Sequence, residues 1–212
     1  TETAWLRGYV ELLDRIDEQA ELGAILNRHY PASRHLCLRY ARLLAEEGER
    51  EAAITVAEYG TEAFSGSETV ELREFLVDQY EGTDPDAFRD TMIGLFVERT
   101  DWTYYERLKA ATPDDEWEHV VDTIVGRLDD RWDADTIIEI YVRENRINDA
   151  LETVTNAPEP DLFETYTDQL GDHAPAAYFD AYRREIKRAA AVASRRQYSR
   201  DVAAHPPTIT SL

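Results

Sequence analysis

The stretch LRYARLLAEEGEREAAITVAEYGTEAF, residues 38–64, indicates two helices joined by a tight turn. In the first helix Ala41 and Leu44 lie three residues apart, which places a small and a large apolar side chain on one face. Gly48 can adopt the positive φ that ends a helix. Five residues later Ala53 provides a small side chain where a second helix must approach the first closely. The stretch therefore predicts an antiparallel helix pair.

This small-residue pattern resembles the tetratricopeptide repeat. The family's positions for alanine, a large residue, glycine, alanine and alanine are matched by Ala41, Leu44, Gly48, Ala53 and Ala57. The position of Ala57 is usually taken by a bulky aromatic residue, so this copy is degenerate. The resemblance implies a solenoid of stacked helix pairs that buries a continuous core and binds another protein or peptide.

The same spacing recurs downstream. Thirty-four residues after Gly48, Gly82 is again followed five residues later by an alanine, Ala87. In IIEIYVRENRINDALETVTNAPEP (137–160) the large residue, the turn, the close contact and the terminator are Tyr141, Asn145, Ala150 and Pro158. Asparagine is a reasonable substitute for glycine in a left-handed turn. Residues 101–128 predict a further helix pair that lacks the glycine.

These patterns predict an all-α fold of antiparallel helix pairs stacked as a right-handed, tetratricopeptide-like superhelix of roughly 10–12 helices. We expect one helical-repeat domain over residues 1–205 and a disordered tail over 206–212. The alternative is an irregular helical bundle in which the glycine–alanine spacing is coincidental. Strand signals, which are runs of alternating β-branched residues bounded by turns, are nearly absent from the sequence.

Local signals place individual helices. The first helix carries apolar residues at helical spacing, which predict a core face made of Trp5, Tyr9, Leu12, Leu13 and Ile16. Asp84 followed by Pro85 predicts an N-cap and a first helical residue. Asp101 is the predicted N-cap of the helix that begins at Trp102. Ser67 is the predicted N-cap of the helix over residues 68–80.

The charge of the chain is its most unusual global property. Of 212 residues, 44 are acidic and 23 basic, which gives a net charge of −21. Only Lys109 and Lys187 are lysines. High negative charge maintains solubility where molar salt shortens the screening length to roughly 3 Å, so the composition resembles that of salt-accumulating archaea. An ordinary acidic protein is the alternative. The charge argues against nucleic-acid binding by the protein as a whole.

The single cysteine, Cys37, excludes an internal disulfide and favours a reducing cytoplasm. No apolar run approaches the length of about 18 residues that a membrane span requires, so we expect no membrane association. The chain begins at Thr1 without a methionine, which is compatible with a processed or excised piece of a longer protein.

The segment Ala181–Arg200 is basic in an otherwise acidic chain. Its candidate interaction patch comprises Arg183, Arg184, Lys187, Arg188, Arg195, Arg196 and Arg200, against the one acid Glu185. Arginine forks suit bidentate contact with phosphate or carboxylate groups. Two interpretations stay open: a docking patch for a phosphate backbone or an acidic partner, or a capping helix whose arginines pair with neighbouring carboxylates.

Two further clusters of polar residues receive a structural interpretation. His29, His35 and Cys37 lack a fourth ligand, so we expect no metal site. Asp114, Asp115, Glu116 and Glu118 surround Trp117, and such acids are expected on the surface of this chain, where they favour a helix N-terminus. A hydrolase built on these acids is the weakest hypothesis, because the sequence lacks phosphate-loop, nucleophile-elbow and metalloprotease motifs. We expect no catalytic residues and no cofactor.

A second resemblance covers about half the chain. WTYYERLKA (102–110), Trp117, the repeat from Tyr141 to Ala150 and the ending around 178–203 are similar to the helical region that follows the zinc finger in SWIM-domain proteins. That finger requires Cys-x-Cys and Cys-x-His, which one cysteine cannot supply, so zinc binding is not implied here. The leading hypothesis is a non-enzymatic scaffold for protein–protein interaction in a halophilic archaeon. The alternative is an accessory module of a SWIM-type protein that contacts phosphates through residues 183–200.

Overall fold

The computed structural model describes residues 2–16, 18–65, 69–128, 133–157, 162–173, 175–184, 186–187 and 190–191. All regular structure within these ranges is helical and none is strand, which confirms the all-α prediction. The α-helices are α1 (Glu2–Arg15), α2 (Gln19–His29), α3 (Arg34–Glu46), α4 (Arg50–Ala63), α5 (Val70–Tyr80), α6 (Pro85–Arg99), α7 (Trp102–Ala111), α8 (Asp114–Arg127), α9 (Ala134–Arg143), α10 (Ile147–Asn156), α11 (Leu162–Thr165) and α12 (Thr167–His173). A 3₁₀-helix spans Tyr30–Ala32, and residues 175–184 are also helical.

The chain divides into two compact units, Thr1–Trp117 and Glu118–Leu212, with the boundary inside α8. In the first unit every helix from α1 to α6 packs against the next one, and α3 also contacts α5. In the second unit α9 packs against α10, and α12 contacts both α10 and α11. The single repeat domain over 1–205 stays a prediction. The predicted tail at 206–212, the cap at Ser67 and the terminator Pro158 lie outside the described residues.

The turn between α3 and α4 has the predicted geometry. Gly48 has a φ of 83°, in the left-handed region. Its N–H donates to the Ala45 carbonyl at 3.1 Å, and the Glu49 N–H donates to the Leu44 carbonyl at 2.8 Å. These two bonds form a Schellman motif, which satisfies carbonyls at the end of α3. Ala53 follows in α4 and is fully buried.

The turn between α9 and α10 repeats this arrangement. Asn145 has a φ of 56° and its N–H donates to the Val142 carbonyl at 3.1 Å. The Arg146 N–H donates to the Tyr141 carbonyl at 2.7 Å. Ala150, five residues beyond Asn145, is fully buried like its counterpart in α4. The left-handed turn followed by a buried alanine is therefore present in both units.

The turn after α5 is of another kind. Glu81 (φ −53°, ψ 122°) and Gly82 (φ 74°) form the centre of a type II turn, and the Thr83 N–H donates to the Tyr80 carbonyl at 2.9 Å. The second central residue of a type II turn has a positive φ, which glycine adopts at low cost. The positive φ predicted for Gly82 is therefore present, but its turn differs from that at Gly48, and Ala87 is only partly buried.

Two predicted N-caps are confirmed. An Asp84 carboxylate oxygen accepts from the Ala87 N–H at 3.0 Å, and Pro85 is the first residue of α6. Asp101 accepts from the Thr103 N–H at 2.9 Å at the start of α7. Each carboxylate satisfies an N–H group that the helix itself leaves without a partner.

The predicted core face of α1 is wrong in part. Its buried residues, Leu6, Val10 and Leu13, pack with leucines of α2 and α3. Trp5, Leu12 and Ile16 of the predicted face are 67%, 51% and 56% exposed. Helix α1 carries two apolar stripes, and its neighbours cover only one of them. Spacing alone could not distinguish the two stripes.

Candidate functional site

The structure describes three residues of the basic patch, and it places all of them at the surface. Arg183 and Arg184 lie in the helix over residues 175–184, and Lys187 follows in the helical residues 186–187. Residues 175–184 together with 186–187 are called the terminal helix. The other patch members, Arg188, Arg195, Arg196 and Arg200, lie outside the described residues.

One face of the terminal helix is fixed to the core of the second unit. Ala181 is 2% exposed, and the rings of Tyr178 and Tyr182 lie 6.0 and 5.8 Å from the ring of Phe163 in α11. The Tyr178 hydroxyl donates to the Phe163 carbonyl at 2.6 Å. Because these anchors lie three to four residues apart, they share one face of the helix. The cations therefore lie on the faces left outside.

Some arginines elsewhere in the described chain are held by carboxylates of neighbouring helices. Arg107 of α7 donates to Asp78 at 2.9 Å and to Glu81 at 2.6 Å. Arg146 donates to Asp122 at 2.6 Å and to Asp149 at 2.7 Å, and the hydrogen bond with Asp122 is the largest cause of its raised pKa. These arginines link helices and are not free to bind a partner.

The described cations of the terminal helix differ from these arginines. Arg183, Arg184 and Lys187 are exposed, and none of them forms an ion pair or hydrogen bond with the described part of the chain. The capping interpretation requires pairing with neighbouring carboxylates. The terminal helix packs on the core of the second unit, but these three residues form no ion pair with the described carboxylates.

Two apolar residues of the same helix were missed by the sequence analysis. Phe179 is 62% exposed and Ile186 is 52% exposed. They lie seven residues apart, a spacing that brings them to the same side of a helix. That spacing was visible in the sequence, but nothing there indicated which side of the helix faces solvent. Together with the cations they form an exposed surface that is both apolar and positive.

Two open cavities lie among the described residues of the second unit. The larger has a volume of about 640 Å³ and lies between α8, α9 and α10, with Tyr141 among its lining residues. The smaller has a volume of about 380 Å³ and lies between α10 and the terminal helix. Its described lining residues include Leu151, Ala181 and Arg184. Because its lining also includes Glu152, the groove carries no excess of positive charge.

The histidine and cysteine cluster does not come together as a ligand set. Cys37 is buried in α3, and its thiol donates to the Tyr30 carbonyl at 3.1 Å. Burial raises the pKa of this thiol to about 11, which disfavours the thiolate that a metal would need. His35 is exposed on the same helix. Among the described residues no three His, Cys, Asp or Glu side chains lie close enough to share a metal ion.

The acids around Trp117 lie in the first turns of α8. Asp114, Asp115 and Glu118 are exposed, and Glu116 accepts a hydrogen bond from Arg89 of α6. Trp117 is 8% exposed and packs against Tyr105, with ring centroids 5.2 Å apart. Carboxylates in this position complement the positive end of the helix dipole.

No helix in the part of the chain that the structure describes is both long and apolar enough to cross a bilayer. Comparison of the chain with protein-family models, with curated proteins and with solved structures finds no match in any of the three.

Proposed function

We propose that this chain is a non-enzymatic, tetratricopeptide-like scaffold that binds another protein. The observation that carries the proposal is the repeated turn. Gly48 and Asn145 have the same left-handed conformation and the same pair of hydrogen bonds, and each is followed five residues later by a fully buried alanine. A chain that uses one helix-pair design twice favours a repeat architecture, and such architectures present extended surfaces to partners.

Side-chain links between alternate helices support stacking of the helix pairs. Arg39 of α3 donates to Asp14 of α1, and Arg107 of α7 bonds to Asp78 of α5. Links of this kind are expected when the first helix of one pair lies beside the first helix of the next. Arginines that are already paired in this way stabilise the stack and leave other surfaces for binding.

The net charge of the chain supports the proposal that the protein functions at high salt concentration. A net charge of −21 produces repulsion that dilute buffer screens over about 10 Å and molar salt over about 3 Å. We propose that the protein comes from a salt-accumulating archaeon and functions with its acidic surface screened by salt. A partner must then be recognised by contacts that persist at high ionic strength, which favours apolar contacts over isolated ion pairs.

The alternative is an accessory helical module of a SWIM-type protein. Its specific support is the exposure of Arg183, Arg184 and Lys187 without described partners, because free guanidinium and ammonium groups can contact phosphates. A binding titration with duplex DNA at low and at high salt tests it. This alternative requires a shift that weakens steeply with salt, and the absence of a shift even at low salt would remove it.

The scaffold proposal is tested by affinity purification at molar KCl from a lysate of the organism that encodes the chain. The full chain is immobilised, captured proteins are quantified by mass spectrometry, and a folded protein of similar net charge serves as the control bait. We expect at least one protein that the chain retains and the control does not. Equal recovery on both baits at every concentration would contradict the proposal.

A further inference from the structure

We propose that the outer surface of the terminal helix binds an acidic amphipathic helix of a partner protein. This surface comprises Phe179 and Ile186 together with Arg183 and Lys187. The inference rests on the proposed scaffold function and adds to it the binding surface and the chemistry of the partner.

The shape of the surface follows from how the helix is anchored. Tyr178, Ala181 and Tyr182 occupy the face that packs on Phe163. Phe179 and Ile186 lie outside that face, with most of their surface in water. An amphipathic helix that lies alongside would cover these two side chains, as apolar anchors one or two turns apart are covered in other helix-mediated contacts.

The charges of the surface select an acidic partner. Among the described residues of the terminal helix there are three cations and one carboxylate, Asp180. The cations form no ion pair within the described residues, in a chain whose net charge is −21. Carboxylates of a partner would gain charge-assisted hydrogen bonds from Arg183 and Lys187. A basic partner would be attracted to the rest of this chain and repelled here.

The apolar residues favour a protein over a nucleic acid. Leaving a 62% exposed Phe179 and a 52% exposed Ile186 in water costs free energy that an apolar partner surface recovers. A phosphate backbone offers no apolar surface to Ile186.

Fluorescence anisotropy with three labelled probes tests the inference on the full chain. The first probe is a synthetic peptide of about 20 residues with leucine at every third or fourth position and glutamate or alanine elsewhere. The second has the same composition in a shuffled order that spreads the leucines around the helix. The third is a DNA duplex of about 20 base pairs. We expect the amphipathic peptide to bind most tightly, at low salt and at molar salt.

Variants identify the surface. We expect Phe179→Ser and Ile186→Ser each to weaken peptide binding by about tenfold, since each removes one apolar anchor. Arg183→Glu combined with Lys187→Glu should weaken it more at low salt than at molar salt, because salt screens the charge contribution. All four side chains are exposed, so the melting curves should match that of the wild type.

Matched controls lie in the first unit. Leu12→Ser removes an apolar side chain that is 51% exposed on α1, and Arg42→Glu reverses an exposed charge on α3. Both should leave peptide binding unchanged. Equal binding of the shuffled peptide, tighter binding of DNA, or no binding of the amphipathic peptide would each overturn the inference. A protein captured by the wild-type chain and still captured by the Phe179→Ser variant would also overturn it, while the scaffold proposal would stand.

Discussion

Gly60 of α4 lies directly against Cys37 of α3: a Cβ atom added to the glycine would meet the Cβ atom of Cys37 at 3.0 Å. The same added atom would lie 2.8 Å from Cδ1 of Leu72 in α5. Helices α3, α4 and α5 therefore meet at a position that has no room for a side chain. The Cβ atom of Cys37 is bonded to the backbone of α3, and the side chain of Leu72 is buried. Close approach of this kind is what small residues in helix pairs permit.

Replacing Gly60 by alanine should therefore lower the free energy of unfolding. We expect a loss of about 1–3 kcal/mol, because the added methyl group forces neighbouring helices apart. Gly8→Ala is the control, since nothing lies within 4 Å of its added Cβ atom and it should gain up to about 1 kcal/mol from helix propensity. Urea unfolding followed by circular dichroism measures both. Gly60→Ala as stable as the wild type would contradict the close contact.

Thr100 has an unfavourable backbone conformation at the end of α6. Its φ of 54° and ψ of 31° lie in the left-handed region, which a β-branched residue rarely adopts. We expect Thr100→Gly to raise the free energy of unfolding by about 1 kcal/mol. Thr112→Gly is the matched control: Thr112 also ends a helix but has a φ of −99°, and its hydroxyl donates to the Leu108 carbonyl at 2.8 Å. That variant should be less stable than the wild type.

Cys37 predicts a loss of stability in alkaline solution. Burial raises the pKa of its thiol from 9.0 to about 11 in the folded protein. Above pH 9 the unfolded chain releases this proton while the folded chain keeps it, so unfolding becomes more favourable until the pH passes about 11. Between pH 8 and pH 11 the wild type should lose more stability than a Cys37→Ala variant, as judged from urea midpoints. Identical losses in the two proteins would contradict a buried thiol.

The acidic surface predicts that salt stabilises the fold. Raising KCl from about 0.1 M to about 1 M shortens the screening length from about 10 Å to about 3 Å, which reduces repulsion among the acids, so the melting temperature should rise. Glu46→Gln with Glu47→Gln should raise the melting temperature in low salt and make the salt dependence shallower. These exposed acids lie at the C-terminal end of α3, where negative charge is unfavourable. A melting temperature that falls with KCl would contradict the prediction.

The turn residues show what the sequence could predict. Only glycine, and asparagine less readily, adopts a left-handed conformation at low cost, so Gly48, Gly82 and Asn145 could be assigned from residue type and spacing. Asp84 and Asp101 could be assigned as caps for a similar reason, since a short carboxylate ahead of a helix has few other uses. Turns and caps depend on the residues at the site itself, so they can be predicted from a single sequence.

Exposure could not be predicted in the same way. Helix α1 has two apolar stripes, and which one is buried depends on where α2 and α3 lie. For the same reason Phe179 and Ile186 resemble core residues in the sequence, although the anchoring tyrosines Tyr178 and Tyr182 turn them toward solvent. The charge of the candidate surface was visible in the sequence, but its apolar part became visible only when the neighbours of the terminal helix were known.

Stacking of successive helix pairs is the claim on which the proposed scaffold rests, and hydrogen exchange followed by mass spectrometry tests it most directly. In a stacked array each pair is stabilised mainly by its neighbours. Under native conditions Gly60→Ala should therefore speed amide exchange most in α3, α4 and α5, and progressively less toward α7. An equal increase in every helix from α1 to α7 would contradict the stacked arrangement and indicate one cooperative bundle.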